Sequence, residues 1–154
     1  TPTQVATKIA AVATAPAVAA AAAAGSATAP ANAVEWLSDE PAALKQAATE
    51  NKLVMLDFTA DWCAACKELE HFTYPDPRVV ALSKQMVPLM IDATKSSDPA
   101  VAALLEKYGV QGLPTVHFLR PNGEIIGGNT VTGFVDADVF LEHMNTAISA
   151  LNAP

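Results

Sequence analysis

The sequence predicts an α/β domain in which a central mixed β-sheet is flanked by helices on both faces. Three observations predict it. Two continuous apolar runs, LVMLDFT (53–59) and VPLMID (87–92), have the length of strands and no polar face, as strands covered on both sides do. Asp76-Pro77 and Asp98-Pro99 are helix starts, with Asp placed to cap and Pro suited to the first turn. Asn122-Gly123 between apolar stretches signals a hairpin near the C-terminus, which makes the sheet mixed rather than parallel.

In chain order, VEWLS (34–38) reads as a short first strand. DEPAALKQAATENK (39–52) follows as a helix, acidic at its start and with Lys52 at its end, which complements the helix dipole. After the strand 53–59, CAACKELEHF (63–72) has helical spacing and stops near Tyr74-Pro75. Helix 76–86, strand 87–92 and helix 98–109 come next, the last ended by Gly109. TVHFLR (115–120), the turn PNGE and EIIGGNTVTGF (124–134) form the expected hairpin, and DADVFLEHMNTAISAL (136–151) is a closing amphipathic helix. No internal repeat is visible.

The chain has 154 residues, one domain's worth of core. Its net charge of −7 and lack of a basic run argue against nucleic-acid binding. Residues 1–33 stand apart: alanine dominates, Pro16 and Pro30 interrupt, and no charge occurs between Lys8 and Glu35. A membrane-spanning helix wants about 20 strongly apolar residues, and alanine contributes little transfer energy. Lys8 and Ala31-Asn32-Ala33 resemble parts of a signal peptide, but no Leu- or Phe-rich core lies between them. Residues 1–33 therefore read as a flexible Ala/Pro-rich linker and 34–154 as the folded domain. The chain does not begin with Met, which fits a piece of something longer.

The only two cysteines, Cys63 and Cys66, stand three apart at the start of a helix directly after a buried strand. Positions i and i+3 share a helix face. The free N–H groups and positive dipole of the first turn favour a thiolate at Cys63. That casts Cys63 as the exposed nucleophile and Cys66 as the buried resolving thiol. A structural disulfide gains more from closing a longer loop. Zinc needs about four ligands, and His71, His117 and His143 are not paired at ligand spacing. Haem attachment needs His where Lys67 stands. A redox pair is the reading favoured.

LDFTADWCAACK followed by GVQGLPTV resembles the thioredoxin superfamily. The longer string VMLDFTADWCAACKELEHFTYPDPRV is similar, more narrowly, to the C-terminal periplasmic domains of the DsbD family of thiol:disulfide interchange proteins. The resemblance covers roughly residues 35–150. It implies a thioredoxin fold and a place in a membrane electron conduit. A transmembrane domain would supply electrons to this domain, which would reduce an N-terminal periplasmic domain serving disulfide isomerases and cytochrome c maturation. It implies a periplasmic location, tethered to the inner membrane in the full-length protein, a monomeric domain, no nucleic acid, and no cofactor or metal.

Several site residues follow. Asp57 is a carboxylate in an apolar run, so burial should raise its pKa. It reads as a proton acceptor and donor beneath Cys66, the plainer alternative being a strand-end residue that reaches water. Glu70, seven after Cys63 and four after Cys66, would oppose thiolate formation, unless it is only a solvated helix-face residue. By resemblance, Pro114 in Gly112-Leu113-Pro114-Thr115 is a cis-proline opposite the cysteines, exposing the Leu113 backbone for strand addition by a partner. Trp62 shields the site and contacts partners, or packs. Phe72 and Tyr74 form a partner-facing lip or belong to the core; Phe58 and Thr59 support the strand end; Asp61 is solvated and Lys67 lies on the surface.

The function expected is thiol–disulfide exchange in the reducing direction. A free-standing, broad-specificity reductase is one alternative, and a CxxC module carrying a soft ion such as Cu(I) another. An oxidase is disfavoured, since it would stabilise the thiolate that Asp57 and Glu70 oppose.

Overall fold

The computed structural model describes residues 32–153; the expected linker 1–33 lies almost wholly outside the described residues. The elements are α1 (Glu40–Glu50), β1 (Leu53–Thr59), α2 (Ala64–Glu68), a π-helical turn (Leu69–Thr73), α3 (Pro77–Ser83), β2 (Met86–Asp92), α4 (Pro99–Lys107), β3 (Thr115–Leu119), β4 (Val131–Thr132) and α5 (Ala137–Asn152). The sheet has the order β2-β1-β3-β4. β1 pairs parallel to β2 and antiparallel to β3, and β3 pairs antiparallel to β4.

All seven residues of β1 are buried, because helices cover both faces of the strand. Leu53 and Met55 join Val116 and Phe118 of β3 in one core, closed by Val79 of α3 and by Phe140 and Met144 of α5. Val54, Leu56 and Phe58 point the other way, into a core with Val87, Leu89 and Ile91 of β2, Ala43 and Ala47 of α1, and Tyr108. Asp57 follows the period-two alternation of Leu53 and Met55. A carboxylate therefore stands on the α3/α5 side of the central strand.

The expected helix starts are present with their caps. Asp39, Asp76, Asp98 and Asp136 each accept a backbone N–H of the first turn. Buried polar contacts join helices on one side of the sheet. On the α1/α4 side, Tyr108 donates to Glu40 at 2.7 Å, and Lys107 also pairs with Glu40.

Three expectations are corrected. The first strand, 34–38, is only a bridge, in which Leu37 donates to Pro88 at 2.9 Å and accepts from Met90 at 2.9 Å. Extending that parallel ladder backward would require an N–H at position 88, and proline has none. The helix 63–72 changes pitch at Leu69, where an i→i−5 bond from Tyr74 to Leu69 (2.9 Å) defines the π turn. The second hairpin strand, 124–134, reduces to a bridge at Ile125 and the two residues of β4. Gly128, at φ +74°, turns the chain out of the sheet between them.

Candidate active site

Cys63 caps α2: its backbone is extended and its Sγ accepts the Cys66 N–H at 3.2 Å. The two sulfurs are joined in a disulfide across this one turn. Ala60 and Leu113 pack over the pair. For that reason Cys63 is not exposed as expected; it is 5% accessible and Cys66 1%. The order of the two, with Cys66 the deeper, is the one the helix position implies. The Cys66 N–H that meets Cys63 Sγ is also the group that would stabilise a thiolate there once the bond opens.

β1 runs straight into this turn and brings Asp57 with it. Asp57 is 1% exposed. Its Oδ2 accepts the Tyr74 hydroxyl at 2.8 Å, while Oδ1 has no hydrogen-bond partner among the described residues. Burial pushes the carboxyl pKa up to about 7; the Tyr74 hydrogen bond opposes this and the charge of Glu70 adds to it. The plainer reading of Asp57, a strand-end residue reaching water, does not hold. Burial likewise raises the Tyr74 phenol, together with the Asp57 charge.

Glu70 lies in the π turn, half-buried. It accepts from Thr59 at 3.1 Å and pairs with Lys67 at 3.1 Å. Lys67 is therefore more than a surface lysine: it is the counter-ion of Glu70, whose hydrogen bond and charge raise the ammonium pKa.

Trp62 is 65% exposed and donates its Nε1–H to the Thr94 carbonyl at 3.3 Å. Thr94 also accepts the Asp61 N–H at 2.9 Å and is itself held by Asp92. The segment before the cysteines is thus pinned to the end of β2, and Asp61 is solvated as expected. The Leu113–Pro114 peptide is cis. Leu113 lines two grooves, one of about 170 Å³ shared with Trp62 and Val110, the other of about 460 Å³ running past Pro114, Thr132 and Gly133. Phe72 and Tyr74 separate: Phe72 is 70% exposed and meets Phe134 edge-on at 6.5 Å, whereas Tyr74 is core, tilted against Trp36 and edge-on to Phe140.

The histidines are packed or hydrogen-bonded individually. His117 bridges Thr130 and the Tyr108 carbonyl at 3.0 Å each, His143 meets Asn129 at 2.8 Å, and His71 meets the Lys67 carbonyl at 2.6 Å. Sequence reasoning missed Thr94 and the Tyr74–Asp57 contact. The Asp92-Ala93-Thr94 run is a readable turn signal. Nothing local in FTYPDP says that Tyr74 reaches a carboxylate on a strand.

Residues 40–148 match the thioredoxin-like domain family. The DsbD thiol:disulfide interchange protein of Vibrio vulnificus is 45% identical over 111 residues, 72% of this chain and 18% of that protein. The C-terminal domain of Neisseria meningitidis DsbD in its reduced form is 37% identical, with a TM-score of 0.62, covering 70% of this chain and 92% of that one. The oxidised form is 35% identical with a TM-score of 0.61, covering 73% and 99%. The chain belongs to the thioredoxin-like C-terminal domains of the DsbD family. This DsbD-family domain is a thiol–disulfide oxidoreductase with Cys63 and Cys66 as its CxxC pair. It spans about a fifth of the length of the curated relatives it matches.

Proposed function

We propose that the DsbD-family domain acts as a reductant, passing electrons from a membrane-embedded dithiol to a periplasmic partner disulfide. The observation that carries this reading is Asp57, a buried carboxyl with one oxygen unpartnered, on the strand that leads into the cysteine turn. An acid so placed, joined by Glu70, opposes a free thiolate at Cys63, and a site that does not stabilise its thiolate holds electrons at a low potential.

In the reaction, Cys63 as thiolate attacks one sulfur of the partner disulfide. That S–S bond breaks, a mixed disulfide forms, and the other partner sulfur leaves as thiolate and is protonated. Cys66 then gives its proton to Asp57 and attacks Cys63. The partner's second sulfur leaves, two electrons have passed, and Cys63–Cys66 is oxidised. An upstream dithiol reverses the change. The partner segment docks in extended form beside Leu113 and cis-Pro114, with Trp62 on the flank. The partners are the other domains of the same conduit, the transmembrane domain upstream and the N-terminal periplasmic domain downstream. The location is periplasmic, with residues 1–33 as the tether.

The test is electron transfer between reduced domain and the oxidised N-terminal domain of the Vibrio vulnificus relative. The expected result is transfer toward the N-terminal domain, abolished by Cys63→Ala, with a mixed disulfide through Cys63 accumulating in Cys66→Ala. Rapid reduction of oxidised glutathione with no preference for the N-terminal domain would instead indicate a broad-specificity reductase.

A further inference from the structure

The Tyr74 ring and the Tyr74 hydroxyl have separate tasks. The ring packs on Trp36 at 5.0 Å and on Phe140 at 5.4 Å, which a phenylalanine would do equally well. The hydroxyl is buried and donates to Asp57 Oδ2, leaving Oδ1 of the same carboxyl without a partner among the described residues. A buried tyrosine hydroxyl needs a partner, and here the partner is the acid of the exchange site. We propose that Tyr74 is a positioning residue for disulfide exchange: it holds Asp57 by Oδ2 and so assigns Oδ1 as the oxygen that takes and returns the proton. The inference rests on Asp57 serving as proton acceptor for Cys66, as proposed above.

In this arrangement the proton leaves the Cys66 thiol, arrives on Oδ1, and departs from it when the disulfide is next reduced. Tyr74 keeps its own proton throughout, because burial and the adjacent carboxylate hold the phenol in its neutral form. The surroundings of Asp57 are otherwise apolar. Its register partners are Met90 on β2 and Val116 on β3, and α5 contributes Phe140 and Met144 to this core. From the π turn comes Glu70, paired with Lys67, and from the residue that follows the turn comes Tyr74. Cys66 on α2, the proton donor in the proposed step, titrates only when the disulfide is open. Among these, Tyr74 alone donates a hydrogen bond to the carboxylate, and such a bond favours the ionised form.

The experiment compares the full chain with Tyr74→Phe and Asp57→Asn. The Asp57 carboxyl is titrated in oxidised protein by carbon-13 NMR. The pH profile of single-turnover reduction of oxidised glutathione is recorded for reduced protein. We expect Tyr74→Phe to move the Asp57 midpoint upward by about one pH unit or more, the shift equivalent to losing one hydrogen bond to a charged group. The exchange profile should move with it. An unchanged Asp57 midpoint in Tyr74→Phe overturns the inference. So does a moved midpoint with an unmoved exchange profile, provided Asp57→Asn does alter that profile. If Asp57→Asn leaves the profile unaltered, the role given to Asp57 fails first, and the inference falls with it. Should Tyr74→Phe not fold, the parent's own Tyr74 ring carbon bonded to oxygen serves instead. Its resonance must follow the Asp57 midpoint, and a flat response overturns the assignment.

Discussion

Asp57 should give this domain a pH dependence, because burial makes its ionisation costly. Its folded pKa of about 7 lies above the value of an unfolded aspartate, near 3.9. The folded state therefore binds the proton more tightly. Stability from this group is fully present below about pH 4 and is lost as pH rises through 7, roughly 4 kcal/mol in all. Urea unfolding of oxidised protein at pH 4 and pH 8 should show that loss in the parent and not in Asp57→Asn, where Tyr74 can still donate to the amide oxygen. Equal pH slopes in the two proteins would remove the buried charge from the account. The two acids should also act unequally on Cys63. Asp57→Asn should lower the thiol pKa by about one unit, as read from the pH dependence of iodoacetamide alkylation. Glu70→Gln should lower it less, because Lys67 already offsets the Glu70 charge. Equal shifts would mean that Lys67 does not screen Glu70.

At the scale of elements, one buried polar contact lies on each side of the sheet, Tyr74 to Asp57 of β1 on one and Tyr108 to Glu40 on the other. The second joins α1 to the end of α4. Glu40→Ala leaves the buried Tyr108 hydroxyl without its acceptor and should cost about 1–3 kcal/mol by urea denaturation; no loss would show that water replaces the carboxylate freely. The strands at 53–59 and 87–92 were legible because their length and unbroken apolarity leave no other role. The helix starts were legible because Asp-Pro carries both a cap and a fitted first turn. What could not be read depends on contacts distant in sequence. Leu37 lacks a full strand partner because of Pro88, fifty-one residues later. The π turn breaks the 3.6-residue spacing that relates Glu70 to Cys63 and Cys66 along one regular helix. The cysteine pair, Asp57 and the Leu113–Pro114 loop were found from local pattern and resemblance; Tyr74 and Thr94 needed the fold, since each acts on a residue of another element.

For the whole molecule, the proposed reading makes this oxidoreductase an electron donor. The helix N-terminus at Cys63 favours a thiolate, while buried Asp57 and half-buried Glu70 oppose one, and the direction of exchange follows from which influence prevails. Trp62 is exposed on one flank and Phe72 meets Phe134 on another; in the proposed reading these aromatics bear on which disulfides reach the pair, not on which way electrons run. That direction is read most directly from the equilibrium reduction potential of Cys63–Cys66, obtained by thiol trapping and mass spectrometry in defined redox buffers. The account predicts a value well below the roughly −120 mV of a strong oxidant and toward the roughly −270 mV of thioredoxin. A value near −120 mV, or a pair that forms no reversible disulfide, would contradict it.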